Sequence, residues 1–319
     1  MHHCGVTAQA SDRHPWLLLL DESHRDEVVS VAGFMARQED IDSLTGSWRQ
    51  LKENTFGLDP TVELKYNIPE DHPSRAALDT NGWFQQRRIP AMLSTITQMP
   101  IIAVADTIVD MRGQRNAMDY LVDGIAWCVR RLANHVDWCL GRPLGPHSVI
   151  IDYPPAPASF DGRLVSSHVR AMFEQLGTAP FARYQERFNR PERYGSTTAP
   201  PYRDLDFAPG LLASHAKHSD LLQVADVIAG ATRDFCQYNL RGADDEGVLP
   251  DPDYQDANFR TLVPIMHRGG GRCATFGFAV FPPRHPAAPT LEAYVDEMCA
   301  ALGSPNHPLC QATSQASRA

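Results

Sequence analysis

The chain has 319 residues, of which 43% are apolar and 21% charged, an ordinary globular balance that allows a core of useful size. No apolar run reaches the roughly 18 residues needed to cross a membrane; the longest early one, Trp16–Leu20, stops at Asp21 and Glu22. A net charge of −9 argues against a surface that clings to nucleic acid as a whole, although it leaves room for a local basic groove.

Residues 1–14 are polar, carry three histidines and read as a flexible lead-in. They have no basic segment followed by a long apolar one, so no secretory signal is expected. Leu17–Leu20 then predicts a buried strand that ends on Asp21-Glu22-Ser23, and Val28–Met35 a second strand. The stretch His24–Glu27 is short enough for a hairpin turn, which makes the two strands antiparallel neighbours. Glu39–Phe56 has helical spacing, with Ile41, Leu44, Trp48, Leu51 and Phe56 largely on one face and Gly57 as the stop signal. Glu63-Leu64-Lys65-Tyr66 follows between loop-like segments. Trp83–Ile96 predicts a helix interrupted by Pro90, Pro100–Val109 a β-branched strand, and Asn116–Leu140 a long helix. Ser148–Ile151 is a short apolar strand that runs into Asp152 and then YPPAP, where prolines forbid continuation.

Further on, residues 160–176 predict a helix, while 178–210 are rich in Pro, Arg and Tyr and resist assignment. His218–Tyr238 predicts a helix and 241–256 an acidic loop. Arg260–Met266 and Cys273–Phe281 read as late strands around the turn His267–Arg272, Leu291–Leu302 as a final helix and 303–319 as a disordered tail. Strands interleaved with helices predict a mixed α/β sheet flanked by helices, in a single domain over residues 15–302. The seven cysteines are widely spaced and form no CxxC pair, which predicts reduced thiols in a cytoplasmic protein.

Two acids share a context. Asp21 terminates the apolar run LLLL, and Asp152 terminates VII. Strand ends lie at the rim of a sheet, where α/β folds place their sites. Carboxylates there are partly desolvated, repel one another and are relieved by a divalent cation. A lone Asp at a strand end is more often a turn former or helix cap. In the helix that begins near Asp220, Leu221, Val224, Ala225 and Ile228 form one stripe for the core, while Gln223, Asp226 and Gly230 form another. The small residues Ala225, Ala229 and Gly230 permit a close backbone approach. Glu63 and Lys65 taken alone read as a surface pair.

Strand LLLLDES followed by VAGFM, then ELK, then a strand ending VIID, then the helix SDLLQVADVIAG resembles domain-of-unknown-function family 3800 over about residues 17–238. That family is similar to the ribonuclease H-like nucleases, so the resemblance implies a ribonuclease H-like mixed sheet flanked by helices. It implies Asp21 as the central metal ligand, Glu63 and Asp152 as the second and third acids, and Asp226 as the fourth, carried on a helix. Glu22 and Gln223 fall on motif positions and are supporting residues, as is Lys65. The family often has Gly after its Asp-Glu-Ser; here His24 stands in that place.

Four carboxylates without clustered His or Cys select hard cations, so Mg²⁺ or Mn²⁺ is the expected cofactor. Two such ions would activate a water and steady the leaving oxygen of a phosphodiester. The expected activity is therefore that of a divalent-metal-dependent nuclease, with nucleic acid as substrate. For phosphate contact the candidates are Arg183, Arg187, Arg190 and Arg193, interleaved with Tyr184, Phe188 and Tyr194, and the Arg268 and Arg272 pair flanking three glycines. A solvated loop and a plain hairpin turn are the bland readings of these two segments. His215 and His218, just before the acidic helix, are compatible with metal binding, but two partly exposed histidines are the favoured reading. Two alternatives stay open: a catalytically weak or inactive nucleic-acid or protein-binding module of the same fold, and a metal-dependent phosphohydrolase acting on a nucleotide.

Overall fold

The computed structural model describes residues 15–25, 28–109, 124–125, 127–128, 131–132, 147–152, 193–194, 197–198, 207–214, 216, 219–268, 272–274, 277–281 and 285–302. The first two strands, β1 (Trp16–Arg25) and β2 (Val28–Arg37), form the expected antiparallel hairpin. β1 runs on past Leu20, however. Asp21 pairs with Ala32 and Glu22 with Val31, because ladder bonds are made by backbone groups and do not stop at a charged side chain. β3 (Ile102–Val109) adds to β2 antiparallel, β4 (His147–Asp152) pairs with β1 in parallel, and β7 (Phe207–Ser214) pairs with β4 in parallel. β8 (Phe278–Phe281) lies parallel to β3, giving the order β7-β4-β1-β2-β3-β8. The two-residue strands β5 (Arg193–Tyr194) and β6 (Thr197–Thr198) pair with each other apart from this sheet.

Helices cover both faces. Alternation along β1 sends Leu19 to one side, where it joins the core formed with the long helix α4 (Asp220–Gly242). Leu18 and Leu20 point to the other side, against Ile125, Trp127, Cys128 and Leu132, helical residues inside the expected Asn116–Leu140 segment. The other helices are α1 (Ile41–Gln50), α2 (Pro73–Thr80), α3 (Gln85–Ile96), α5 (Tyr254–Leu262) and α6 (Ala288–Ala301). α1 carries Leu44 and Trp48 into the core and is followed by a wide turn over Leu51–Thr55 that ends at Gly57, where φ is +66°. Fully buried Lys52 then donates to Asp220 Oδ1 at 2.6 Å and to the Pro60 carbonyl at 3.1 Å, which brings the chain from Gly57 onward against the start of α4.

Two expectations are corrected. The segment Arg260–Met266 is not a strand: it continues from α5 into a 3₁₀ turn, Val263–Ile265. A capping box, Asp253 with Asp256, satisfies the first amides of α5, and Phe259 stacks on Phe235 of α4 at 4.0 Å. Of Cys273–Phe281, Phe278–Phe281 forms a strand. Nor are all thiols reduced, since Cys273 and Cys299 are joined in a disulfide. Asp296 of α6 accepts from the Cys273 and Ala274 amides at 2.9 and 2.8 Å and so brings the two cysteines together. Cys128 and Cys236 are free and buried. Among the described residues, no helix is long and apolar enough to cross a membrane.

Candidate functional site

Strand alternation decides which acids can meet. Asp21 and Ser23 follow Leu19 on the α4 side of β1, whereas Glu22 follows Leu18 and Leu20 on the opposite side. The parallel register pairs Leu20 with Ile151, so Asp21 and Asp152 come next on neighbouring strands. α4 packs across β1, β2 and β3 and brings Asp226 over the same end. Three of the four anticipated acids, Asp21, Asp152 and Asp226, thus gather from two strands and a helix.

Each of the three is oriented by a backbone amide. Asp21 Oδ1 accepts from the Glu22 N–H at 2.8 Å, Asp152 Oδ1 from Ala216 at 2.7 Å, and Asp226 Oδ2 from Tyr66 at 2.6 Å. Burial raises the Asp21 carboxyl well above its ordinary range, and the charges of Asp226, Glu22 and Asp152 raise it further. Burial likewise pushes Asp226 up to about 6, opposed by the Tyr66 amide and by the positive charges of Lys65 and Arg233. Glu22, although on the other side of the strand, is held at about 7 by its own burial and by the Asp152 and Asp226 charges. These shifts are what a set of acids produces when it has been brought together without enough positive charge.

Glu63 is linked to these acids by way of Lys65. Leu64 and Tyr66 are buried against α4, which leaves Glu63 and Lys65 on the alternate, more exposed side of the segment. Lys65 Nζ lies 3.2 Å from Glu63 Oε1, and His72 Nε2 lies 3.5 Å from Glu63 Oε2. His72 caps α2 by accepting the Ser74 N–H on Nδ1, which leaves Nε2 facing Glu63. Burial pulls the Lys65 ammonium down, but the charges of Glu63, Asp226 and Asp152 outweigh it and the net shift is upward. Lys65 thus joins Glu63 electrostatically to the other acids.

One stripe of α4 holds this segment. Gln223, Asp226, Gly230 and Asp234 recur at three- and four-residue intervals. Gln223 Oε1 accepts the Leu64 amide, Asp226 the Tyr66 amide, and Asp234 Oδ2 the Tyr66 hydroxyl at 2.9 Å. Gly230 lies beneath the Tyr66 ring, so close that a Cβ there would sit 2.3 Å from ring carbons. Beside them Arg233 donates to Asp234 Oδ1 through Nε at 2.9 Å and to Ser23 Oγ through Nη1 at 2.8 Å. With its amide oxygen turned toward Arg233, Asn67 accepts from the same guanidinium at 3.0 and 3.2 Å. Sequence reading singled out none of Tyr66, His72, Arg233 and Asp234. For Asp234 a signal exists, since it lies two turns beyond Asp226 on the stripe already recognised.

The remaining candidates lie elsewhere. Arg268 donates to the Val263 carbonyl at 3.1 Å, and Arg272 pairs with Asp296 at 2.6 Å, so both have partners within the chain. His24 is exposed. Arg183, Arg187, Arg190, His215 and His218 lie outside the described residues. Among the described residues, no group of three or more His, Cys, Asp or Glu side chains closes to metal-ligand spacing. The donor set of the anticipated acids is all carboxylate oxygen, which suits hard cations such as Mg²⁺ or Mn²⁺ in kind. No protein-family model and no curated protein matches the chain.

Proposed function

We propose that this chain is a divalent-metal-dependent nuclease or phosphodiesterase of ribonuclease H-like fold that acts on nucleic acid. The observation that carries the reading is the gathering of Asp21, Asp152 and Asp226 under one face of the sheet, each carboxylate oriented by a backbone amide, with Asp21 and Asp226 raised by burial and by the charge of neighbouring acids, Asp152 among them. A sheet whose first three strands form an antiparallel meander, with β4 and β7 parallel to β1, supports the same fold reading.

Asp21, Asp152 and Asp226 would hold Mg²⁺ or Mn²⁺, with Glu63 completing the set. The bound ions would supply a water of lowered pKa and charge stabilisation at the leaving oxygen. The chain itself fixes the carboxylate planes through the Glu22, Ala216 and Tyr66 amides and excludes water from Asp21 by burying it. Lys65, its side chain 38% exposed beside the acids, is the cation placed to meet a substrate phosphate.

The test is cleavage of labelled single-stranded and duplex DNA and RNA with Mn²⁺, comparing wild type with Asp21→Asn and Asp226→Asn. Cleavage by wild type that both substitutions abolish is the expected result, because Asn keeps the shape and removes the charge that holds the cation. Cleavage that persists in both variants refutes the site. A wild type inert on all four substrates, yet binding them tightly, favours the binding-module alternative.

A further inference from the structure

We propose that Gln223 is a positioning residue that holds the Glu63 segment and the Asp152 rim in one register about Asp226; the inference rests on the carboxylate-site reading above. Gln223 lies one turn before Asp226 on α4 and is 2% exposed. Its Oε1 accepts two N–H groups, from Trp48 Nε1 at 3.2 Å and from the Leu64 backbone at 3.0 Å. Its Nε2 donates to the Ala216 carbonyl at 2.8 Å. The amide orientation is therefore fixed by chemistry, since two donors face the oxygen and a carbonyl faces the nitrogen.

Those partners sit next to the acids. Leu64 follows Glu63 directly in the chain. Ala216 donates its own N–H to Asp152 Oδ1 at 2.7 Å while its carbonyl accepts Gln223. The Ala216 carbonyl also accepts the Ser219 amide, so the turn that opens α4 is tied into the same network. One side chain thus connects a strand-borne acid, a loop-borne acid and the helix that carries the third. A residue needed for packing alone could be apolar. Here an acceptor for one indole N–H and one amide N–H and a donor for one carbonyl are all used. Outer partners of this kind are expected to change metal affinity about 10- to 100-fold.

Mn²⁺ titration of the full-length chain by calorimetry tests the inference, with Gln223→Met and Trp48→Phe beside wild type. Methionine keeps the length and loses every hydrogen bond, whereas Trp48→Phe removes one Gln223 partner that leads to no acid. The expected result is an Mn²⁺ Kd weakened at least about tenfold in Gln223→Met and changed less than about threefold in Trp48→Phe. Equal weakening in both variants would reduce Gln223 to a packing residue and overturn the proposal. So would wild-type affinity in Gln223→Met, with the metal site itself left standing. A wild-type chain that binds no Mn²⁺ removes the site reading and this inference together. Should Gln223→Met not fold, Gln223→Glu replaces it: the Trp48 and Leu64 bonds survive, and a carboxylate oxygen now opposes the Ala216 carbonyl. Added negative charge alone would tighten Mn²⁺ binding, so weaker binding supports the positioning role and tighter binding overturns it.

Discussion

Replacing Gly230 by Ala puts a methyl group where the Tyr66 ring already is. The new Cβ would lie 2.3 Å from ring atoms Cγ and Cδ1 and 2.8 Å from the Tyr66 Cβ, so the ring must retreat by more than about 1 Å to reach ordinary carbon contact. Little freedom exists for that. The Tyr66 amide is bonded to Asp226, its carbonyl accepts from Arg88 at 3.0 Å and its hydroxyl donates to Asp234. Overpacking of this kind costs about 1–3 kcal/mol, and a weakened bond to a buried carboxylate adds roughly 1.5 kcal/mol. The better helix propensity of Ala returns about 1 kcal/mol. A net loss of about 2 kcal/mol is expected in urea unfolding monitored by circular dichroism. In a Tyr66→Gly background the ring and its Cβ are both gone, and the same substitution should cost less than about 0.5 kcal/mol, a coupling measurable by a double-mutant cycle. Equal cost in both backgrounds, or no cost in the first, would refute the contact.

The acids predict a pH dependence with a definite sign. Asp21, Glu22 and Asp226 hold protons more tightly folded than unfolded, so the stability they contribute is fully present below about pH 4 and is lost as pH rises. The loss runs through about 6 for Asp226 and about 7 for Glu22. In metal-free urea melts, wild type should therefore lose more stability than Asp21→Asn between pH 5 and pH 8, and parallel pH profiles would contradict this. At pH 8 without metal, Asp21→Asn should melt higher than wild type, and millimolar Mn²⁺ should reverse the order by stabilising wild type alone; an unchanged order in differential scanning fluorimetry counts against a cation at Asp21. Arg233→Met leaves Asp234 buried beside Tyr66 with its main positive partner gone, so a loss of about 3–5 kcal/mol is expected by urea denaturation. A loss under about 1 kcal/mol would mean that Arg25, 3.9 Å from Asp234, takes over the pairing.

Much of this arrangement was legible because period and punctuation agreed. The β1–β2 hairpin followed from two apolar runs with a short connection, and α4 from a sustained helical stripe. β4 followed from an apolar run halted by prolines. Asp21, Asp152 and Asp226 stood out because each breaks such a pattern. Elsewhere tertiary contacts overrode local appearance. Arg260–Met266 reads as a strand in the sequence, but the Asp253–Asp256 cap and the Phe259 stack on Phe235 go with a helix and a 3₁₀ turn there. Pro90 looked like an interruption, yet α3 continues through it while Ile89, Met92, Leu93 and Ile96 become buried. The short helix α2 has only His72 and Pro73 to announce it. Neither the Tyr66–Gly230 contact nor the Cys273–Cys299 bridge leaves any trace in spacing, since each depends on how distant elements dock.

The parallel pairing of β1 with β4 has a kinetic consequence. Leu20 finds Ile151 across more than a hundred residues, and Asp226 arrives only with a helix that begins at Asp220. Contacts so distant in sequence form slowly, because the entropy of loop closure must be met before any of them is rewarded. During synthesis the β1–β2–β3 meander can pair as soon as it is made, but its α4 face stays uncovered until the chain has grown past Gly242. Asp21 would spend that interval apart from Asp226, so the repulsion between those two carboxylates arises only when α4 docks. Resistance of the β1–β2 hairpin to proteolysis should therefore appear late on a growing chain, after α4 has emerged.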